Sequence, residues 1–192
     1  HPERGLNGPG EFIAVAEERG FIVDIGEWVL RVACREGRRF RERGHPEFRV
    51  AANISARQFR DQALIPLVES ALAESGLDPR GLELEITESV AMENLGLTLE
   101  VLTRLRQIGV SIAIDDFGTG HSSLSYLKRF PIDALKIDKS FVEDVPDRFE
   151  DAAIVRSVIQ LAHGLNLRVI AEGVEKVEQL DFLREHGCHE VQ

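Results

Sequence analysis

Carboxylates recur in this chain at the ends of short apolar runs, where a side chain can reach a site while its backbone is held in a sheet. Glu83 and Glu85 alternate with Leu82, Leu84 and Ile86; Asp115 and Asp116 follow Ile112-Ala-Ile114. Lys136 and Asp138 alternate with Leu135 and Ile137, and Glu172 and Glu175 follow Val169-Ile-Ala171. Strand side chains alternate sides, so Glu83, Glu85 and Thr87 share one face, as do Lys136 and Asp138, with the aliphatic residues opposite. Acids gathered in a partly dry site repel one another and must take up protons or bind a cation. Oxygen donors without Cys or paired His select Mg2+, Mn2+ or Ca2+ over zinc, and catalysis favours Mg2+ or Mn2+. Adjacent Asp115 and Asp116 are expected to diverge, each reaching a different ion. Such a two-metal site, with ions about 3.5–4 Å apart, clamps both sides of an in-line displacement.

Taken one at a time, these residues also have plainer readings. Asn53 alone suits a turn or cap, and Glu88, Thr87 or Ser89 could each cap a helix. Lys136 could neutralise nearby acids as a structural ion pair. A Schiff-base role fits it poorly, because surrounding carboxylates raise a lysine pKa. Gly118 and Gly120 permit a tight turn, and their spacing matches neither a P-loop nor a dinucleotide fingerprint.

The elements that must hold these residues follow one rhythm, in which β-branched runs alternate with longer amphipathic ones. Strands are expected over Phe48–Ile54, Leu82–Thr87, Val110–Asp115, Ile132–Asp138, Arg168–Glu172 and a truncated His189–Gln192. Helices are expected over Asp61–Ser75, Leu95–Ile108, Ser122–Arg129, Ala152–Gly164 and Val177–His186. A further helix, Asp24–Arg43, precedes the first strand, with Trp28, Leu30 and Val32 on its apolar side. Gly76, Gly109, Gly164 and Gly187 follow helical runs, where glycine can take a left-handed turn. The alternation implies βαβ units and a parallel sheet. Polar residues at nearly every strand end favour a closed barrel over an open sheet with one switch point. The expected fold is therefore α/β, a TIM-like (β/α) barrel, incomplete in this chain: the N-terminal strands and the end of the last strand are missing.

Composition narrows the function classes. The chain has 192 residues, 43% hydrophobic and 29% charged, which suits one globular domain with a continuous core. Its net charge of −10 disfavours a general grip on DNA or RNA. Cys34 and Cys188 follow no metal spacing and read as free thiols. The histidines have no paired-ligand spacing. Arg35–Arg43 reads as a solvated helix face. No apolar run reaches membrane-spanning length and no signal-peptide pattern is present, so the domain is expected to be cytoplasmic, by itself or as the cytoplasmic domain of a larger or membrane-anchored protein, and to make no membrane contact of its own.

Five segments in order carry a more specific likeness: Asn53-Ile-Ser-Ala-Arg-Gln-Phe59, Glu85-Ile-Thr-Glu88, Asp115-Asp-Phe-Gly-Thr-Gly120, Leu135-Lys-Ile-Asp138 and Ala171-Glu-Gly-Val-Glu175. Together they resemble the EAL-domain family of cyclic di-GMP phosphodiesterases, from His1 to Gln192. The resemblance implies one domain over 1–192 that hydrolyses cyclic di-GMP to linear pGpG using Mg2+ or Mn2+, as two ions. It implies that Asn53, Glu85, Asp115 and Asp116 are metal ligands, that Lys136 lies near the attacking water, and that Glu172 is the general base. Glu88 matches the glutamate ordering the Asp116–Ser123 loop, and Asp138, Glu175 and Gln192 match positions lining the site. It also implies possible homodimers and fusion to sensory or other signalling domains in bacterial second-messenger proteins.

Departures from the family pattern set further expectations. The Glu-Ala-Leu segment, with its ligand glutamate, is expected just upstream of His1, and the last strand stops at Gln192 where the family continues. Lys176 stands where Thr is frequent and His121 where Tyr is. The chain is thus expected to be truncated at both ends and, by itself, weakly active or inactive. The competing functions are a non-hydrolysing cyclic di-GMP receptor and a regulatory or dimerisation module. Survival of Glu172, Asp115 and Asp116 favours the enzyme over the receptor, and the polar strand ends argue against a purely structural role.

Overall fold

The computed structural model describes residues 5, 8–120 and 124–192. The expected helix start at Ser122, the loop end at Ser123 and the His121 substitution lie outside them. Two compact units divide the chain, His1–Leu82 and Glu83–Gln192.

In the first unit, helix α1 (Ile13–Arg19) leads into α2 (Ile22–Glu42), followed by β1 (Val50–Asn53), α3 (Ala56–Phe59) and α4 (Leu64–Ser75). Helix α2 buries Ile22, Leu30, Cys34 and Gly37, a spacing that returns to one side every turn. That stripe lies against α4 and β1. A Cβ at Gly37 would stand 2.9 Å from Val50 Cγ1, so the close approach of α2 to β1 depends on glycine. Trp28 does not share this side. It is 64% exposed, because two residues along a helix turn its side chain about 200° from Leu30. Helix α4 starts later than expected. Asp61 accepts from the Ala63 N–H at 2.9 Å and forms a turn ahead of it.

The second unit alternates strands and helices: β2 (Leu82–Thr87, opening at the unit boundary), α5 (Glu88–Glu93), α6 (Leu95–Ile108), β3 (Ser111–Phe117), α7 (Leu124–Leu127) and β4 (Ala134–Ile137). It continues with α8 (Lys139–Val142), α9 (Phe149–Gly164), β5 (Arg168–Ala171), α10 (Val177–Glu185) and β6 (Glu190–Val191). Successive strands from β2 to β6 pair in parallel. Ile112, Ile114, Leu135, Ile137 and Val169 are fully buried, on the side that α6 and α9 cover. The opposite side carries the polar residues and a buried layer of Ala113, Ala134 and Ile170. Short helices α1, α3, α5 and α8 escape the periodicity reading because four to seven residues scarcely complete a repeat. Gly76, Gly109 and Gly187 take left-handed conformations. Gly164 does not: it is the last residue of α9, and Asn166 (φ 56°) makes the turn instead. Asparagine tolerates that region through local hydrogen bonding.

Both cysteines are free thiols. Burial pushes the Cys34 thiol up to about 11. No helix among the described residues is long and apolar enough to cross a membrane.

The orientation of α2 has a direct test in denaturant unfolding. Leu30→Ala should cost about 2–5 kcal/mol through the cavity it leaves, whereas Trp28→Ala should stay within about 0.5 kcal/mol as a surface change. The reverse order would mean that α2 presents its other side.

Candidate active site

Lys136 is the centre of the site. Strand β4 brings it inward between β3 and β5, and its side chain is only 3% exposed. Its Nζ lies 2.9 Å from Glu85 Oε2 and 3.3 Å from Asp115 Oδ1, and it also pairs with Glu172 Oε1. These three acids come from β2, β3 and the end of β5. Burial works to lower the Lys136 pKa, but Glu172 and Glu85 outweigh it and the pKa is raised. Lys136 therefore stays an ammonium, the wrong state for a Schiff-base amine. Glu85 shifts upward: its burial outweighs the attraction of Lys136, and the charge of Asp115 adds to the rise.

Strand β3 departs from regular alternation where its two aspartates lie. Ala113 and Ile114 face Ala134 and Leu135, but Phe117 faces Ile137, so β3 fits three steps against two. The extra residue is a bulge, and Asp116 within it has φ 53°, a left-handed conformation that a non-glycine residue seldom adopts. The bulge breaks the regular alternation that would send Asp115 and Asp116 to opposite sides of the sheet. Asp115, Asp116 and Glu172 each offer a carboxylate oxygen, all within 4.8 Å of one another. The strand also runs past its expected end at Asp115 to Phe117, because pairing with β4 resumes after the bulge.

Neighbouring groups hold the bulge. Asp115 Oδ1 accepts from the Asp116 N–H at 3.0 Å. Glu88 is buried, and its Oε2 accepts from the Gly118 N–H at 2.9 Å, across from the start of α5 to the loop after β3. A Cβ at Gly120 would meet Glu88 Oε1 at 3.0 Å, so the bare glycine keeps the loop against the glutamate. Thr87, not Glu88, caps α5, accepting from the Val90 N–H. Asp138 caps α8 by accepting from the Ser140 N–H at 3.0 Å. It also hydrogen-bonds Asp116. Burial raises the Asp116 pKa, and the charges of Asp115, Asp138 and Glu172 add to it. On Asp138 burial acts upward too, but the Ser140 donors and Asp116 outweigh it and the pKa falls.

Asn53 closes β1 in the first unit and is exposed. Glu175 is exposed and lines a cleft of about 220 Å³ with Lys139, Glu143, Gly173, Lys176 and Gln179. Gln192 joins through its backbone: its N–H donates to Ala171 O, and its carbonyl accepts from the Val174 N–H at 3.0 Å. Glu83 shares its side of β2 with Glu85 but lies at the strand's start, buried against Arg168. Arg168 also pairs with Glu190 at 2.7 Å. Sequence reasoning missed this ion pair; the signal was a lone arginine opening a strand whose partners are aliphatic.

The cluster fits a divalent cation. Glu85 Oε1 is buried and has no hydrogen-bond partner among the described residues. A buried carboxylate oxygen left bare is costly, and a cation would satisfy it. Asp115, Asp116 and Glu172 offer an all-oxygen donor set beside it, suited to a hard ion such as Mg2+ or Mn2+.

Comparison with known proteins places this geometry in a family. The chain is 50% identical over 191 residues to the signaling protein YkoW of Bacillus subtilis, covering all of this chain and 24% of that one. It is 48% identical over 192 residues to the cyclic di-GMP phosphodiesterase NbdA of Pseudomonas aeruginosa, again covering all of this chain and 24% of the relative. The chain thus spans about a quarter of the length of these curated relatives. Among solved structures, the PaMucR phosphodiesterase in complex with c-di-GMP superposes with a TM-score of 0.98 at 47% identity, covering 100% of this chain and 78% of that one. The fold class is accordingly α/β, a TIM-like (β/α) barrel of which the described residues supply six strands. The EAL domain model matches residues 1–192, and the chain belongs to the EAL domain family.

Proposed function

We propose that this chain is the phosphodiesterase domain of a cyclic di-GMP-hydrolysing protein, opening the cyclic dinucleotide to linear pGpG. The observation that carries the reading is the acidic cluster around Lys136, intact in a chain 48% identical to a named cyclic di-GMP phosphodiesterase. A receptor without turnover has no need of a base beside an ammonium and a ligand set.

The roles follow from the residue types. Glu172 takes the proton of the attacking water as general base. Lys136, kept cationic by its acids, stabilises negative charge developing on the phosphoryl oxygens. Glu85, Asp115 and Asp116 hold the divalent ions, two in the full site; the role of Asn53 rests on the family pattern alone. When bound, Mg2+ or Mn2+ lowers the pKa of the attacking water and neutralises phosphate charge. Glu88 keeps the loop after β3 closed, and Asp138 holds Asp116; Glu175 and Gln192 line the approach. Water adds across one phosphodiester bond, its oxygen to phosphorus and a proton to the departing sugar oxygen. We further propose that the domain acts on the cytoplasmic side, fused to signalling domains in a longer protein that can form homodimers.

Three measurements on the full-length protein test this reading. Glu172→Gln should lower kcat by roughly 100- to 10,000-fold while cyclic di-GMP still binds; undiminished hydrolysis would remove Glu172 from its role. Chelator should abolish turnover and added Mn2+ restore it, and Asp115→Asn should demand more Mn2+ than wild type; activity that persists in chelator rejects the metal site. Lys136→Met should destabilise the fold by about 3–5 kcal/mol near neutral pH, because it strands buried carboxylates. Without the ammonium the Glu85 pKa rises further, and the charging penalty vanishes as pH falls through that raised value. The variant should therefore lie closer to wild type near about pH 5 than near about pH 8 in urea titrations; a pH-independent loss would contradict that account.

A further inference from the structure

Gln179 is buried, and its amide is fully used by backbone groups. Its Oε1 accepts from the backbone N–H groups of Glu175 (2.8 Å) and Lys176 (2.9 Å). Its Nε2 donates to the carbonyls of Val142 (3.1 Å) and Glu143 (2.9 Å). A glutamine amide offers two protons and two acceptor sites, and all four are engaged. The opposite amide orientation would aim donors at donors and acceptors at acceptors, so the network allows only this one.

The two ends of that bridge belong to different catalytic segments. Val142 and Glu143 close α8, whose helix is too short to satisfy its own last carbonyls. The N-terminus of α8 is capped by Asp138, which also holds Asp116. Glu175 and Lys176 end the loop that begins at Glu172. Backbone pairing fixes the near end of this loop: the Glu172 N–H donates to Ile137 O at 3.1 Å and the Val174 N–H to Gln192 O. Between them, Gly173 has φ +70° and lies so near Lys139 that a Cβ there would be 2.7 Å from the lysine's Cβ. Strand pairing ends at Ala171, and only Gln179 holds Glu175 and Lys176 through their amides among the bonds described for this loop.

We infer that Gln179 is a positioning residue for Glu172: it locks the loop carrying the proposed base onto the α8 segment that follows Lys136 and Asp138. The inference rests on the proposed phosphodiesterase reading for its catalytic consequence, but not for the tether itself. General-base catalysis is sensitive to placement, and a shift of about 1 Å costs about 100-fold in rate.

Two variants of the full-length protein separate positioning from bulk stability. Gln179→Met removes both halves of the bridge. Gln179→Glu keeps acceptors for Glu175 and Lys176 but loses the donors to Val142 and Glu143. Both should lower kcat by about 10- to 100-fold. Affinity for cyclic di-GMP, measured on the Glu172→Gln background where turnover is stopped, should change by less than about two-fold, since a loss confined to kcat marks an interaction used in the transition state. Hydrogen exchange at the Glu175 and Lys176 amides should quicken in Gln179→Met. Wild-type kcat in Gln179→Glu, or affinity falling in step with kcat, would overturn the positioning role. Should wild-type protein fail to hydrolyse cyclic di-GMP, the functional reading falls, and the exchange experiment still decides the tether: unchanged exchange at those two amides rejects it.

Discussion

A buried ammonium needs counter-charges, and the inner side of this sheet is organised around that need. Lys136 is enclosed by Glu85, Asp115 and Glu172. In a medium of low polarity an isolated ammonium would give up its proton; here the acids beside Lys136 hold its charge in place. The acids outnumber the cation, and Glu85 retains a buried oxygen without a partner among the described residues. That surplus of negative charge makes the cluster receptive to hard divalent ions. One interaction thus serves two ends: it lets polar residues occupy the interior, and it gathers carboxylates from three strands around one ammonium.

Space for this arrangement comes from small residues below it. Ala113 and Ala134, with Ile170, form a buried layer beside the longer polar side chains. At the strand starts a separate ion pair, Arg168 with Glu83, is neutralised within its own layer. The aliphatic residues of the same strands face the helices and supply the apolar burial that holds the sheet together. Division of labour between the two sides lets the site carry its charges without weakening the core.

The bulge at Asp115–Asp116 converts a strand end into a site. Regular alternation would send consecutive side chains to opposite sides. One extra residue, with Asp116 in a left-handed conformation, turns both carboxylates toward Glu172. Such a conformation costs about 1–3 kcal/mol and persists only where neighbours over-determine it. Here Glu88 grips the following loop and Asp138 grips Asp116 itself. These supports explain why acids outside the immediate cluster belong to the same functional unit.

The order and type of the chemical groups were legible in the chain before any folding was considered. Alternation along β2 and β4 predicts which residues share a side, since a period of two is a local property of extended backbone. Ordered segments such as Asp115-Asp-Phe-Gly-Thr-Gly120 were enough to suggest the family. Other matters depended on contacts between residues far apart in sequence. Glu83 and Glu85 look equivalent in the chain, but register and the partner across the sheet send one to Arg168 and the other to Lys136. Trp28 lies outward because burial of α2 was decided by α4 and β1, not by hydrophobicity alone. The bulge arises from a mismatch between two strands, and the bridge at Gln179 from two loops meeting in space. Periodicity and composition are written along the chain, whereas pairing, register and backbone strain exist only once distant segments touch.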